Sequence, residues 1–116
     1  MTKEEELLFG LYRYINKASR YVGSKNESEF IKDEVSFDAT CFAFYMIEYI
    51  GQEILKNENI LLNNPDIDFK RIANYKKDFI NEEGVDYVGL HNLILNEFPI
   101  LQMKLLNRWK GSSNGK

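Results

Sequence analysis

The stretch Asp38-Ala-Thr-Cys-Phe-Ala-Phe-Tyr-Met-Ile-Glu-Tyr-Ile-Gly51 decides how this chain is read. Between Ala39 and Ile50 only Thr40 and Glu48 are polar. The stretch lies in a helix expected from about Ser36 to Leu55. A helix that is apolar nearly all round must be covered on more than one side. In so small a domain the second cover can come from a partner subunit, so a helix-mediated homodimer is expected. The longest uncharged apolar run, Cys41 to Ile47, is far too short to span a bilayer.

The chain on either side repeats the helical pattern. Towards the start, Leu7, Leu11, Ile15, Ala18 and Val22 recur at spacings of three and four. They predict a helix from Lys3 to about Tyr21. Thr2 and Glu5 fit a capping box at its start, and Gly23 stops it. Arg13, Lys17 and Arg20 form a basic stripe on another face, which by itself reads as a solvated face. A short helical turn is expected over Ser28–Lys32, capped by Ser24, Asn26 or Ser28.

Beyond the central helix, Asn57 to Ile67 reads as a linker, because Asn63, Asn64, Pro65 and Asp66 supply turn chemistry. A further helix should start after Asp68 and run to about Glu82, with Gly84 as its stop. Asp86 caps the last one. Tyr87, Leu90, Ile94, Phe98, Leu101 and Leu105 keep one stripe through Pro99, which predicts a long C-terminal helix kinked there. With only Pro65 and Pro99 and almost no strand-type alternation, the chain reads as all-α, a compact antiparallel bundle of about five helices. Residues 1–110 form one domain. The small, polar Gly111–Lys116 reads as a frayed tail.

Composition narrows the function. The 116 residues carry 15 basic and 18 acidic side chains, a formal charge of −3. A globally basic nucleic-acid clamp is excluded, although a local basic patch is not. The single Cys41 excludes an internal disulfide framework and multi-cysteine zinc sites. The single His91 excludes paired-histidine metal sites. No metal site is expected. Cys41 reads as a buried small hydrophobe, and His91 as a structural histidine on a polar flank. The acidic start, Met-Thr-Lys-Glu-Glu-Glu, is not a secretory signal, so cytoplasmic residence is the expectation.

Charge is unevenly placed after Asp68. Lys70, Arg71, Lys76 and Lys77 come first, and Asp78, Glu82, Glu83 and Asp86 follow. The first group can hold a phosphate or RNA backbone, and the second repels one. An acidic end is also unfavourable for the helix dipole, so helix stability does not explain the order. Glu48 is the one charge inside the apolar stretch and must reach solvent, a cation or hydrogen-bond donors. The sharper reading has it face the Lys76 region. Thr40 is expected to bond back to its own helix.

The order of these elements resembles the HepT-like family of HEPN domains. The likeness begins with the first helix, the turn Glu27–Glu34, and Asp38-Ala39. It continues in Ile47-Glu-Tyr-Ile-Gly-Gln-Glu53, which looks like that family's L-E-x-I-G-E-A segment. Pro65-Asp-Ile-Asp-Phe-Lys-Arg-Ile72 looks like its P-x-I-P-W-x-x-I link. Gly84-Val85-Asp86 and Phe98-Pro99 also fit, so the resemblance covers about residues 7 to 106. The stretch from Asp38 to Gly51 is about one helical turn longer than the family pattern.

That resemblance implies a helical bundle that dimerises. It implies a metal-independent RNase toxin without a cofactor, paired with a small nucleotidyltransferase antitoxin. The family's R-x4-H-x-Y motif is altered here: the matching positions read Lys76, Asn81 and Glu83. Lysine holds a phosphate as a point charge but lacks the planar fork of arginine. Asparagine can hydrogen-bond a phosphate oxygen but cannot exchange a proton near neutral pH. Glu83 puts negative charge where RNA would lie and cannot accept AMP as the motif tyrosine does. The expectation is a degenerate RNase that persists as a partner-binding homodimer. The alternative is a working endoribonuclease that uses Lys76 with Asn81 or a nearby carboxylate.

Overall fold

Capping residues set where the helices begin. The computed structural model describes residues 1–114, with side chains as far as Arg108. Helix α1 (Lys3–Val22) starts at Thr2, whose hydroxyl accepts from the Glu5 N–H at 3.1 Å while Glu5 accepts from the Thr2 N–H at 3.3 Å. Its stop, Gly23, has φ +55°, in the left-handed range that favours glycine. Asn26 and Glu29 form the same reciprocal box before α2 (Glu27–Lys32). Asp33 caps α3 (Glu34–Leu55) by accepting from the Ser36 N–H, two residues ahead of the expected start. Inside α3, Thr40 donates to the Ser36 carbonyl at 2.7 Å, as expected of it.

The chain after α3 is more divided than its sequence pattern suggests. The expected linker contains α4 (Glu58–Asn63), because Asn57 acts as an N-cap, its side chain accepting from Ile60. The helix expected from residue 69 to 82 is two short ones, α5 (Phe69–Ala73) and α6 (Tyr75–Phe79). Asn74 separates them. Its side chain donates to the Lys70 carbonyl at 2.7 Å, the acceptor its own backbone N–H would use in a continuing helix. That N–H turns to Arg71 instead. A two-stranded hairpin follows, β1 (Ile80–Asn81) antiparallel to β2 (Gly84–Val85), pairing Ile80 with Val85. Gly84 has φ +134°, so it serves the hairpin turn instead of a helix end.

Asp86 caps α7 (Tyr87–Asn96), and α8 (Phe98–Asn114) follows after one residue, Glu97. The interruption thus falls two residues before Pro99, which sits in the first turn of α8, where its missing N–H is not needed. The backbone bonds Glu97 to Leu93 and Leu101 to Glu97 keep the two helices nearly continuous. The described residues therefore form an all-α domain with eight helices and one minimal hairpin. Helix α8 carries on through Asn114, and the last two positions of the expected tail lie outside the described residues. No helix among the described residues is long and apolar enough to cross a membrane.

The core lies between α1, α3, α7 and α8. Leu11, Ile15, Ala18 and Val22 of α1 are fully buried, as are Phe44, Ile47 and Ile54 of α3. Phe44 stacks on Phe98 at 5.8 Å between ring centroids, and Tyr75 lies against both. Gly51 lets α3 approach α5 closely, since a Cβ there would lie 2.8 Å from the Ala73 Cα. Helix α8 also ties down the link between α4 and α5. Arg108 donates to the Asn64 side chain at 2.9 Å and pairs with Asp66, while Lys104 donates to the Asp66 carbonyl at 2.6 Å.

Two expectations need correction. Cys41 is half-buried, because its position turns it towards the rim of α3 and not into the core. Partial burial, with Asp38 nearby, pushes its thiol pKa up, so it is not an activated nucleophile. His91 is buried and not on a polar flank. Its Nε2 lies 2.9 Å from the Lys25 carbonyl, and since a carbonyl can only accept, Nε2 carries the proton.

Candidate functional site

The middle of α3 and the α6–β1 segment enclose a cavity of about 480 Å³. Tyr45 and Glu48 reach it from α3 because they lie three residues apart, on one side of the helix. Lys76 and Lys77 reach it from α6, and Ile80, Asn81 and Glu82 close it from the hairpin. The sharper reading of Glu48 is met in position, since it shares this cavity with Lys76. No ion pair joins them among the described residues, whose ion pairs lie elsewhere. Lys76 instead places Nζ 4.4 Å from the centroid of the Tyr45 ring, a cation–π contact.

The three positions that match the altered motif do not converge. Lys76 and Asn81 line the cavity, but Glu83 lines a neighbouring one of about 320 Å³ with Asp78, Asn81 and Asp86. Three carboxylates there disfavour a phosphate. The amide of Asn81 is committed at both ends. Its Nδ2 donates to the Lys77 carbonyl at 3.2 Å, and its Oδ1 accepts from the Glu83 N–H at 2.9 Å. Asn81 thus holds the hairpin turn, with one donor hydrogen and one acceptor lone pair of its amide left over.

The basic run is also split. Asn74 ends α5, so Lys70 and Arg71 belong to one short helix and Lys76 and Lys77 to another. Arg71 is engaged by Glu97 through two hydrogen bonds, of 3.0 and 2.6 Å, and its guanidinium lies 5.6 Å from the Tyr75 ring. Burial, with Glu97 adding to it, raises the Tyr75 phenol well above its ordinary range. Lys70 is exposed on α5. The four cations therefore do not make one phosphate-binding patch.

Within the Lys76 cavity two lysines face two carboxylates, so its formal charge is zero. It can hold a phosphate by Lys76 and Lys77, but it contains no histidine, the side chain suited to general acid–base work near neutral pH. No group of His, Cys, Asp and Glu among the described residues is arranged to hold a metal ion. Sequence reasoning missed two wall residues, Ile80 and, on α3, Tyr45. The signal for Tyr45 was its place three residues before Glu48.

Around this site the face of α3 is open. Phe42, Tyr45 and Tyr49 are 59%, 56% and 62% exposed. They recur at spacings of three and four, which makes one row along the helix. Comparison with known proteins adds no relative: no family model, curated protein or solved structure matches this chain.

Proposed function

We propose that this chain is a HepT-like HEPN protein that has lost most RNase chemistry and acts as a partner-binding homodimer in the cytoplasm. The observation that carries this reading is the exposed aromatic row Phe42–Tyr45–Tyr49. Large amphipathic rings in a row supply interface area at low conformational cost, and Tyr keeps a hydroxyl for the wet rim. The row continues the apolar surface of a helix whose other side is already buried. A second copy of the chain would cover it. The partner is a small nucleotidyltransferase-type protein, and Glu83 removes the phenol to which such a partner would transfer AMP.

The test is the mass of the purified protein in solution at micromolar concentration, by light scattering after size exclusion. A dimer is expected for the natural chain and a monomer for Tyr49→Glu, which places a carboxylate in the row. A natural chain that runs as a monomer sinks the proposal. For the partner, a minimal nucleotidyltransferase should copurify without adding AMP to this chain.

A second reading is favoured by the shared cavity of Glu48, Lys76 and Asn81: an active metal-independent endoribonuclease. Lys76 would hold the phosphate and a neighbouring carboxylate would take the proton. The missing histidine weighs against it, since loss of general acid–base catalysis lowers rates by about 10²–10⁴-fold. RNA cleavage in EDTA, lost in Lys76→Ala, would establish it. Absence of cleavage above background leaves the degenerate dimer.

A further inference from the structure

A second and larger cleft, of about 900 Å³, runs along α1 with Gln102 of α8 on its wall, and it shares no residue with the Lys76 cavity. Arg13, Lys17 and Arg20 line it. Their spacings of four and three set the three cations in a row about 10 Å long, from a rise of about 1.5 Å per residue. In a chain of net charge −3 this is a local excess of positive charge. None of the described residues lining the cleft is acidic, and none of the three cations makes an ion pair among the described residues. Arg13 and Lys17 only rest near the Tyr14 ring, at 5.9 and 5.3 Å. The row is therefore open to negative charge from another molecule.

The rest of the wall decides what kind of anion fits. Between Arg13 and Arg20, Gln102 Nε2 donates to Asn16 Oδ1 at 2.6 Å. The joined amides still offer donors at Asn16 Nδ2 and an acceptor at Gln102 Oε1. A peptide unit carries the matching C=O and N–H, whereas a phosphodiester group offers only acceptors. Gly23, just past α1, lines one end of the cleft, so the negative end of the helix dipole lies there. That end disfavours a chain with a charge on every unit and tolerates one whose charges are spaced. From Phe9 to Gly23 the cleft follows α1 for about 20 Å, the span of about six extended residues. Carboxylates on every second residue of such a peptide lie about 6–7 Å apart. The cations rise by about 4.5–6 Å from one to the next, a mismatch that long Lys and Arg side chains absorb.

We propose that this cleft docks an acidic peptide segment of a partner protein, bound extended, with its carboxylates on Arg13, Lys17 and Arg20 and a backbone amide on Asn16 and Gln102. Recognition of acidic motifs by clustered cations is a recurring mode of peptide binding. The proposal stands on this cleft alone and holds whether or not the chain is a degenerate RNase. Fluorescence anisotropy of the full chain at low salt tests it, with a labelled, end-capped six-residue peptide of alternating Glu and Ser. That peptide should bind, and its counterpart with Gln for Glu should not. The combined R13Q/K17Q/R20Q variant should weaken binding about tenfold, the loss expected of three exposed ion pairs. Lys32→Gln, which removes a charge outside the cleft, should leave binding unchanged. Gln102→Leu should weaken it severalfold. A single-stranded RNA hexamer and phosphatidylserine vesicles serve as competitors, and neither should displace the peptide at equal negative charge. Circular dichroism checks that each variant is folded, and the charge reversal Arg13→Glu, expected to weaken binding severalfold, replaces the combined variant if that one is not. No peptide binding at millimolar concentration would overturn the proposal. So would binding that survives loss of the cations or of the Gln102 amide, or that is equal for the Gln peptide. Displacement by RNA or vesicles at matched charge would also overturn it, because the row would then be a general anion surface.

Discussion

Helices α1 and α3 lie against each other, yet they use their residues differently. In α1 the apolar stripe is buried inside the fold and the opposite face carries charge. Nothing in its apolar pattern needs a second molecule. In α3 the core takes Phe44, Ile47 and Ile54, and a further row of rings still faces water. The excess on α3 is a surface the single chain does not use. The contrast teaches that a long apolar run is explained only in part by the domain that contains it.

Substitutions can break or sharpen that contrast. The largest effect on folding is expected on the buried side of α3. Phe44→Ala removes a ring packed against Phe98 and Tyr75 and should cost about 3–5 kcal/mol in urea unfolding. A comparable loss at exposed Phe42 would mean the two sides of α3 do not differ as described. Gly51→Ala comes next. Its Cβ would meet the backbone of Ala73, so overpacking should cost about 1–3 kcal/mol, although Gly→Ala inside a helix normally stabilises.

Alkaline pH probes the buried side of α3, where Tyr75 lies against Phe44. The Tyr75 phenol is raised in the folded chain, so the unfolded state releases its proton first. The associated stability is full below about pH 10 and falls as pH rises, by about 1 kcal/mol near pH 11. Ultraviolet titration should show a phenol that ionises above the ordinary tyrosine range and disappears in Tyr75→Phe. On α1, Gly10→Ala should be close to neutral or stabilise by at most about 1 kcal/mol, because only the flexible end of Ile50 lies near, at 3.2 Å. Tyr49→Glu should change folding least, within about 0.5 kcal/mol, while removing the dimer. A large folding loss there would mean Tyr49 is not a free surface residue.

Much of this was legible in the sequence, and the reason is local. Thr2, Asp68 and Asp86 mark helix starts because each cap is made within three residues. The buried stripe of α1 follows from spacing alone. Asn residues were harder to read, since the same side chain can cap, break or turn. Asn57 caps α4 inside an expected linker, Asn74 divides an expected helix, and Asn81 holds a hairpin too short to show any alternation. The split of the basic run follows from Asn74, so the site was misread where the helix was. Glu48 was placed near Lys76 because a lone charge in an apolar helix has few ways out. The cations of α1 were visible as a stripe, but not that Gln102 of α8, distant in sequence, lines the same cleft.

The clasp that Arg108 makes on Asn64 has a consequence for how the molecule is made. The two residues are 44 positions apart. Synthesis proceeds from the N-terminus at about 5–20 residues per second, so Asn64 emerges seconds before the side chain that secures it. Helices α1 and α3 can associate on the ribosome during that interval. The segment from α4 to α5 has to wait until α8, synthesised after it, closes it.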